Sequence, residues 1–266
     1  MDQQDVEKFA KEHGNKFHAQ VVSFLRKNDW SVTVSPFYRD IATDKAREAD
    51  VFADKVVEVP RFAQPTISFP VTLVIECKYV KQEILFWFDK KDADQTNERI
   101  TKDIPDLKNN ANIAKHHWNS VNEVAKLFAT YNPNRDERQP ENEIIFSSID
   151  KVLNCLIYYR NTFPRRSTIP PGANSEPRIH YPVIIVDSFS KMFRTTLDYP
   201  ERVEPLDQKI WFPVEVNYAY ILYGQGQKYQ HLEYFLVDIV NYTKLGEYLA
   251  LLEGNDIGAA KSVFPQ

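Results

Sequence analysis

A chain of 266 residues, 43% apolar and 13% aromatic, can bury one large core or two modest ones, which excludes general disorder. A formal charge of −4 and an isoelectric point near 5.9 exclude a global basic field, so contact with nucleic acid or an anionic membrane would need a local patch. The two cysteines, Cys77 and Cys155, fall in separate predicted elements without CxxC or Cys/His spacing, which argues against a structural zinc site and suits a reducing compartment.

The N-terminal MDQQDVEKFAKEHG is polar, with no apolar h-region, and no run approaches the length of a membrane span, so the chain reads as soluble and cytoplasmic. From Val6 to Leu25, residues such as Val6, Phe9, Phe17, Val21 and Leu25 recur at helical spacing and predict an amphipathic helix. A short strand follows at Trp30 to Val34, then a polar loop, DIATDKAR. Glu48 to Val59 alternates as a second strand, and PRFAQPTISFP links it to a third, VTLVIECKYV at Val71 to Val80, which should pair with it antiparallel. DADQTNERITKDI predicts a short exposed helix. Asn109 to Tyr131 places Ile113, His117, Val121, Val124, Ala125 and Phe128 on one helical face, and Glu143 to Tyr159 forms another apolar stripe. After a proline-rich loop, strands resume at Tyr181, Trp211 and Glu233, and TKLGEYLALLEG closes the chain as a helix that Thr243 can cap.

This order predicts an α/β fold in one domain spanning 1–266: a central mixed β-sheet flanked by helices, with a helical insertion at 92–178 after the third strand. The last helix is expected to cover the sheet face that the first leaves open.

Side chains alternate across a strand, so Leu73, Ile75, Cys77 and Tyr79 share one face of VTLVIECKYV while Thr72, Val74, Glu76 and Lys78 share the other. A charge in a core strand is costly unless it is paired or holds a metal. On the preceding strand Glu48, Asp50 and Phe52 share a face, and an antiparallel hairpin sets Asp50 beside Glu76. Two carboxylates and a lysine make an oxygen-rich site suited to Mg²⁺, the kind of site phosphodiester hydrolysis requires. As a solvated ion-pair cluster the same residues would contribute little.

READVFA followed by LVIECKYV resembles the PD-(D/E)XK nuclease superfamily, the restriction-endonuclease-like fold, with Asp50 at its first acidic position and Glu76 and Lys78 at its E-x-K. The preceding GNKFHAQVVSFLRKNDWSV resembles the family's first helix and its exit, and FLVDIV then LGEYLALLE is similar to how compact members end. The resemblance implies an endonuclease dependent on Mg²⁺, with Mn²⁺ able to substitute. Asp50, Glu76 and the backbone carbonyl of Cys77 would be metal ligands, and Lys78 would lie beside the attacking water. It implies a nucleic-acid substrate, DNA first, in restriction, phage defence or mobile-element processing. Ala49 stands where the family name has proline, and His18 where many members have a glutamate, so an accessory acid would have to come from Glu12 or Glu48, or be replaced by His18. The alternative is a nuclease-fold module that binds nucleic acid or protein with weak or no turnover; a homodimer or a protein partner is compatible with either.

Other residues have plainer readings. Arg165, Arg166 and Arg178 are candidate phosphate contacts or a solvated loop. The adjacent His116 and His117 have no third ligand at suitable spacing, so packing beside Trp118 is the simpler reading. Tyr218, Tyr220 and Tyr223 alternate as sheet-packing residues.

Overall fold

A computed structural model describes residues 15–40, 43–62, 64–131, 144–162, 178–224 and 227–264. In chain order it has helix α1 (Asn15–Lys27) and strands β1 (Ser31–Val34), β2 (Phe37–Arg39), β3 (Ala46–Glu48), β4 (Val51–Arg61), β5 (Gln64–Lys78) and β6 (Ile84–Lys90). Helix α2 (Ala93–Asp103), a series of 3-10 turns between Pro105 and Ser120, strand β7 (Glu123–Thr130) and helix α3 (Ile144–Thr162) come next. Strands β8 (Ile179–Val186), β9 (Met192–Thr196), β10 (Glu204–Pro205), β11 (Trp211–Gly224) and β12 (Gln227–Asn241) precede a C-terminal helical run. That run comprises α4 (Leu245–Leu251), a π-helical segment (Leu252–Ile257) and α5 (Gly258–Ser262).

Among the described residues, ten strands form one mixed sheet in the order β1-β4-β5-β8-β12-β11-β7-β6-β9-β10, while β2 and β3 form a separate small hairpin. The expected antiparallel pairing of β4 with β5 is present, and β8 runs parallel to β5 and to β12. These central strands are apolar on both faces because both faces are covered. On one side Phe17, Val21 and Leu25 of α1 pack with Leu73, Ile75 and Val183, together with Tyr248 and Leu252 of the C-terminal run. On the other side Ile149, Val152 and Leu156 of α3 pack with Val74, Ile184 and Ile239. The closing helix therefore lies on the same face as the first, and the face that α1 leaves open is covered by α3.

The stretch 92–178, expected as a helical insertion, contributes α2 and α3 but also a sheet strand. Asn109 to Tyr131 is not one helix: Asn110 and His116 cap successive 3-10 turns, and β7 follows, paired with β6. Val124 and Phe128 fit a helical spacing, but Val124, Lys126 and Phe128 also fit a strand period, and pairing with ILFWFDK decides between them. The proline-rich link between the second and third strands is likewise part of the hairpin. Pro60 falls at a register shift between Val59 and Arg61, where a strand tolerates a missing donor, and Pro70 pairs with Val56. Ahead of the last helix, the Asn241 side chain accepts the Thr243 N–H at 3.1 Å and caps the 3-10 turn Tyr242–Lys244, while α4 itself starts from Lys244 with no side-chain cap, so Thr243 does not cap it. No described helix is long and apolar enough to cross a membrane.

Leu153 of α3 is fully buried in the second layer. Leu153→Ala is expected to destabilise the chain by about 2–5 kcal/mol in urea denaturation. A loss below about 1 kcal/mol would contradict α3 as a packed layer.

Candidate functional site

The hairpin register creates the site. Val51 pairs with Ile75 and Phe52 with Val74, so the next step sets Asp50 across from Glu76. The Asp50 carboxylate accepts the backbone N–H of Cys77 at 2.8 Å, which fixes it one peptide unit from the Cys77 carbonyl. Leu73, Val74 and Ile75 draw β5 into the middle of the sheet, between β4 and β8, and Glu76 follows them to 0% exposure.

Glu76 is therefore a carboxylate without water. Its Oε2 faces two ammonium groups, Lys78 Nζ at 2.8 Å and Lys151 Nζ of α3 at 3.3 Å. Its Oε1 is equally buried and has no hydrogen-bond partner among the described residues. An acceptor left in that condition costs on the order of 1–3 kcal/mol. Burial, then the charge of Asp50, raises the Glu76 pKa, and Lys78 and Lys151 offset only part of this. For Lys78 burial works against the charge, but Glu76 and Asp50 outweigh it and raise its pKa, so the group is an ammonium at neutral pH.

Asp50, Glu76, Lys78 and Cys77 thus come together as the sequence suggests. His18, on α1, donates from Nε2 to the Asp50 backbone carbonyl at 2.6 Å. It adds no carboxylate but pins the backbone at Asp50. Glu48 is exposed and, with His18 and Asp50, lines a cleft of about 720 Å³ between α1 and the start of β4. Glu12, Arg165 and Arg166 lie outside the described residues. Arg178, just before β8, donates its backbone N–H to the Asp103 carbonyl, away from Glu76. Lys151 was not anticipated. Its signal is its position on the stripe Ser148, Lys151, Cys155, which faces the sheet, where a lysine on a solvated face would not be.

No family model, curated protein or solved structure matches the chain. The chemistry of the site has to be read from its own residues.

A second buried cluster has metal-ligating residue types: His116, His117 and Asp256 lie within reach of one cation. Here, however, the polar atoms are engaged. His117 directs Nδ1 at Asp256 and Nε2 at Asp238, the latter at 2.9 Å, while its backbone N–H donates to Asp256 at 2.7 Å. Trp118 Nε1 and the Tyr248 hydroxyl donate to Asp238, and the Tyr181 hydroxyl donates to Asp256. Burial drives the His116 pKa down to about 3, so it is neutral, with Nδ1 accepting the Trp118 N–H. Burial acts on His117 in the same sense, but the two aspartates overcome it and push its pKa up to about 9. The result is a hydrogen-bonded imidazolium that ties the 3-10 turns to β12 and the C-terminal run. The expectation of packing beside Trp118 holds, but with aspartates that lie 121 and 139 residues away in sequence.

A His pKa raised from 6.5 to about 9 on folding contributes stability in full below pH 6.5, and that contribution is lost as pH rises toward 9. Thermal unfolding of the natural chain is therefore expected to weaken between pH 6.5 and 9 more steeply than that of His117→Gln. The variant should be less stable by at least about 2 kcal/mol at the lower end. Parallel pH profiles would remove His117 from this role.

Proposed function

We propose that this chain is a divalent-metal-dependent endonuclease of restriction-endonuclease-like fold that hydrolyses phosphodiester bonds, with DNA as its substrate. One observation carries the reading: a fully buried carboxylate, Glu76, whose Oε1 has no partner among the described residues, beside a second carboxylate, Asp50, and with Lys78 two residues along the same strand face. In a purely structural ion pair both oxygens would be engaged, as they are for Asp256. A hard cation with oxygen ligands fits the deficit. Asp50, Glu76 and the Cys77 carbonyl would hold it, and the helix-then-hairpin order of α1, β1, β4 and β5 suits the resemblance seen in the sequence.

Bound there, the ion would neutralise the scissile phosphate and lower the pKa of its water. The chain's own residues set the surroundings. Lys78 is held as an ammonium, so in the resting site it donates hydrogen bonds and stabilises developing negative charge, and a general base would have to come from elsewhere. Lys151 adds a second positive charge from α3, at the same Glu76 oxygen as Lys78. His18 holds the Asp50 backbone in place through its carbonyl. The absence of a carboxylate on α1 at His18 favours a second reading, a nuclease-fold binding module with weak turnover.

Incubation of the natural chain with plasmid, duplex, single-stranded DNA and RNA in Mg²⁺, Mn²⁺ or EDTA tests both. EDTA-sensitive cleavage is expected, reduced at least about 100-fold by Asp50→Ala, Glu76→Gln or Lys78→Ala. Because the Glu76 pKa is raised on folding, its ionised form is disfavoured there above the unfolded value, and Glu76→Gln should keep or raise the thermal midpoint at pH 7 while losing activity. Cleavage by all three variants at the natural rate would sink the nuclease reading; sound folding and nucleic-acid binding with no cleavage under any metal would favour the binding module.

A further inference from the structure

We infer that a second cleft, on the same sheet face as Glu76 but four residues back along β5, is a subsite for the phosphodiester backbone of the nucleic acid; this deepens the nuclease reading and rests on it. The strands place it row by row. Phe52 pairs with Val74 and Asp54 with Thr72, while Val74 pairs with Pro182 and Thr72 with His180. The row of Asp50 and Glu76 is thus followed by a row holding Phe52, and that by a row of Asp54, Thr72 and His180. Four residues of strand separate the first and last rows by about 13 Å, roughly four base steps along a duplex.

The last row floors a cleft of about 550 Å³, over which Lys102 of α2, Arg160 near the end of α3 and Arg178 converge. Behind them the fully buried Arg99 grips Asp103 through both guanidinium nitrogens at 3.0 and 3.2 Å. Arg160 places two nitrogens at 3.1 Å from one oxygen of Glu233. The lining itself holds three permanent cations against two carboxylates, Asp54 and Asp103, while Arg99, Glu233 and Glu98, which meets Lys102 at 3.5 Å, lie outside it. Burial raises the pKa of Asp54 despite the Thr72 hydroxyl on it. His180 adds a buried Nδ1 with no hydrogen-bond partner among the described residues, 3.7 Å from Asp103. The cleft therefore turns more cations than acids toward a ligand, in a chain whose total charge is −4.

The separation selects the ligand. A mononucleotide or free phosphate cannot reach from this cleft to Glu76, whereas a polyanion with regularly spaced phosphates can. Between the two ends, half-buried Phe52 and Tyr159 stand with ring centroids 4.3 Å apart, an aromatic surface on which an unpaired base can rest.

Fluorescence anisotropy in EDTA, with labelled DNA and RNA oligonucleotides of about 20 nucleotides, single-stranded and duplex, reads binding without cleavage. Lys102→Ala and Arg178→Ala are each expected to raise Kd about 3- to 10-fold near 100 mM NaCl and to lower the slope of log Kd against log salt by about 1, with the double variant additive. Arg160 is left in place, because its loss would strand buried Glu233. Lys209→Ala, an exposed lysine elsewhere, should change neither quantity. Natural affinity and slope in the double variant, with cleavage still sensitive to EDTA and to Glu76→Gln, would overturn the subsite and leave the nuclease reading intact. A natural chain that neither binds nor cuts any of the four would overturn both.

Discussion

The register of the β4–β5 hairpin holds the carboxylate of Glu76 beneath α3, and everything around it answers to that burial. A charge removed from water needs cations within a few ångströms, so one lysine comes from its own strand and a second from α3. The same register brings in Asp50, whose charge makes the burial harder. A sheet selected for stability alone would put a neutral or apolar residue at position 76. The chain instead keeps two acids at one end of its central strands and leaves one oxygen without a donor among the described residues, the condition in which an incoming cation would gain most.

The layers make this possible. Because β5 lies between β4 and β8, and β8 beside β12, both faces of the central strands are apolar and both are covered by helix. Rigid packing on each side holds the carboxylates where they are, since neither strand can shift by one residue without turning its whole apolar set to the wrong layer. The α1 helix contributes at the edge: its apolar face is anchored by Phe17, Val21 and Leu25, and the His18 ring beside Phe17 reaches the Asp50 carbonyl. Packing and site geometry therefore share the same residues.

Alternation made the core of this arrangement legible in the sequence. Glu76 and Lys78 follow a run of apolar residues on a period of two, and the antiparallel hairpin that brings Asp50 to them needs only local pairing. What local pattern could not reveal depends on partners far along the chain. Lys151 falls on the stripe of Ser148 and Cys155, but the carboxylate it answers is 75 residues earlier and meets it only once α3 is laid across β5. The stretch holding His117 and Val124 satisfies a helical period, and only the presence of β6 makes Glu123 to Thr130 a strand. Asp238 carried the same signal as Glu76, a carboxylate inside the apolar run FLVDIV, but the imidazole that explains it lies 121 residues earlier.

Glu76 and Asp256 make the physical distinction between a site and a structural knot concrete, since both are acids at 0% exposure. Around Asp256 an imidazolium, a backbone amide and a phenol supply donors to both oxygens, so a cation entering there would have to displace hydrogen bonds already made. Around Glu76 the donors crowd on one oxygen, and the other meets none among the described residues. Equal burial with opposite satisfaction means that Asp256 has both oxygens already engaged, whereas Glu76 keeps one without a donor among the described residues. The functional reading therefore belongs to Asp50 and Glu76, although the histidine cluster has the more familiar set of metal-binding side chains.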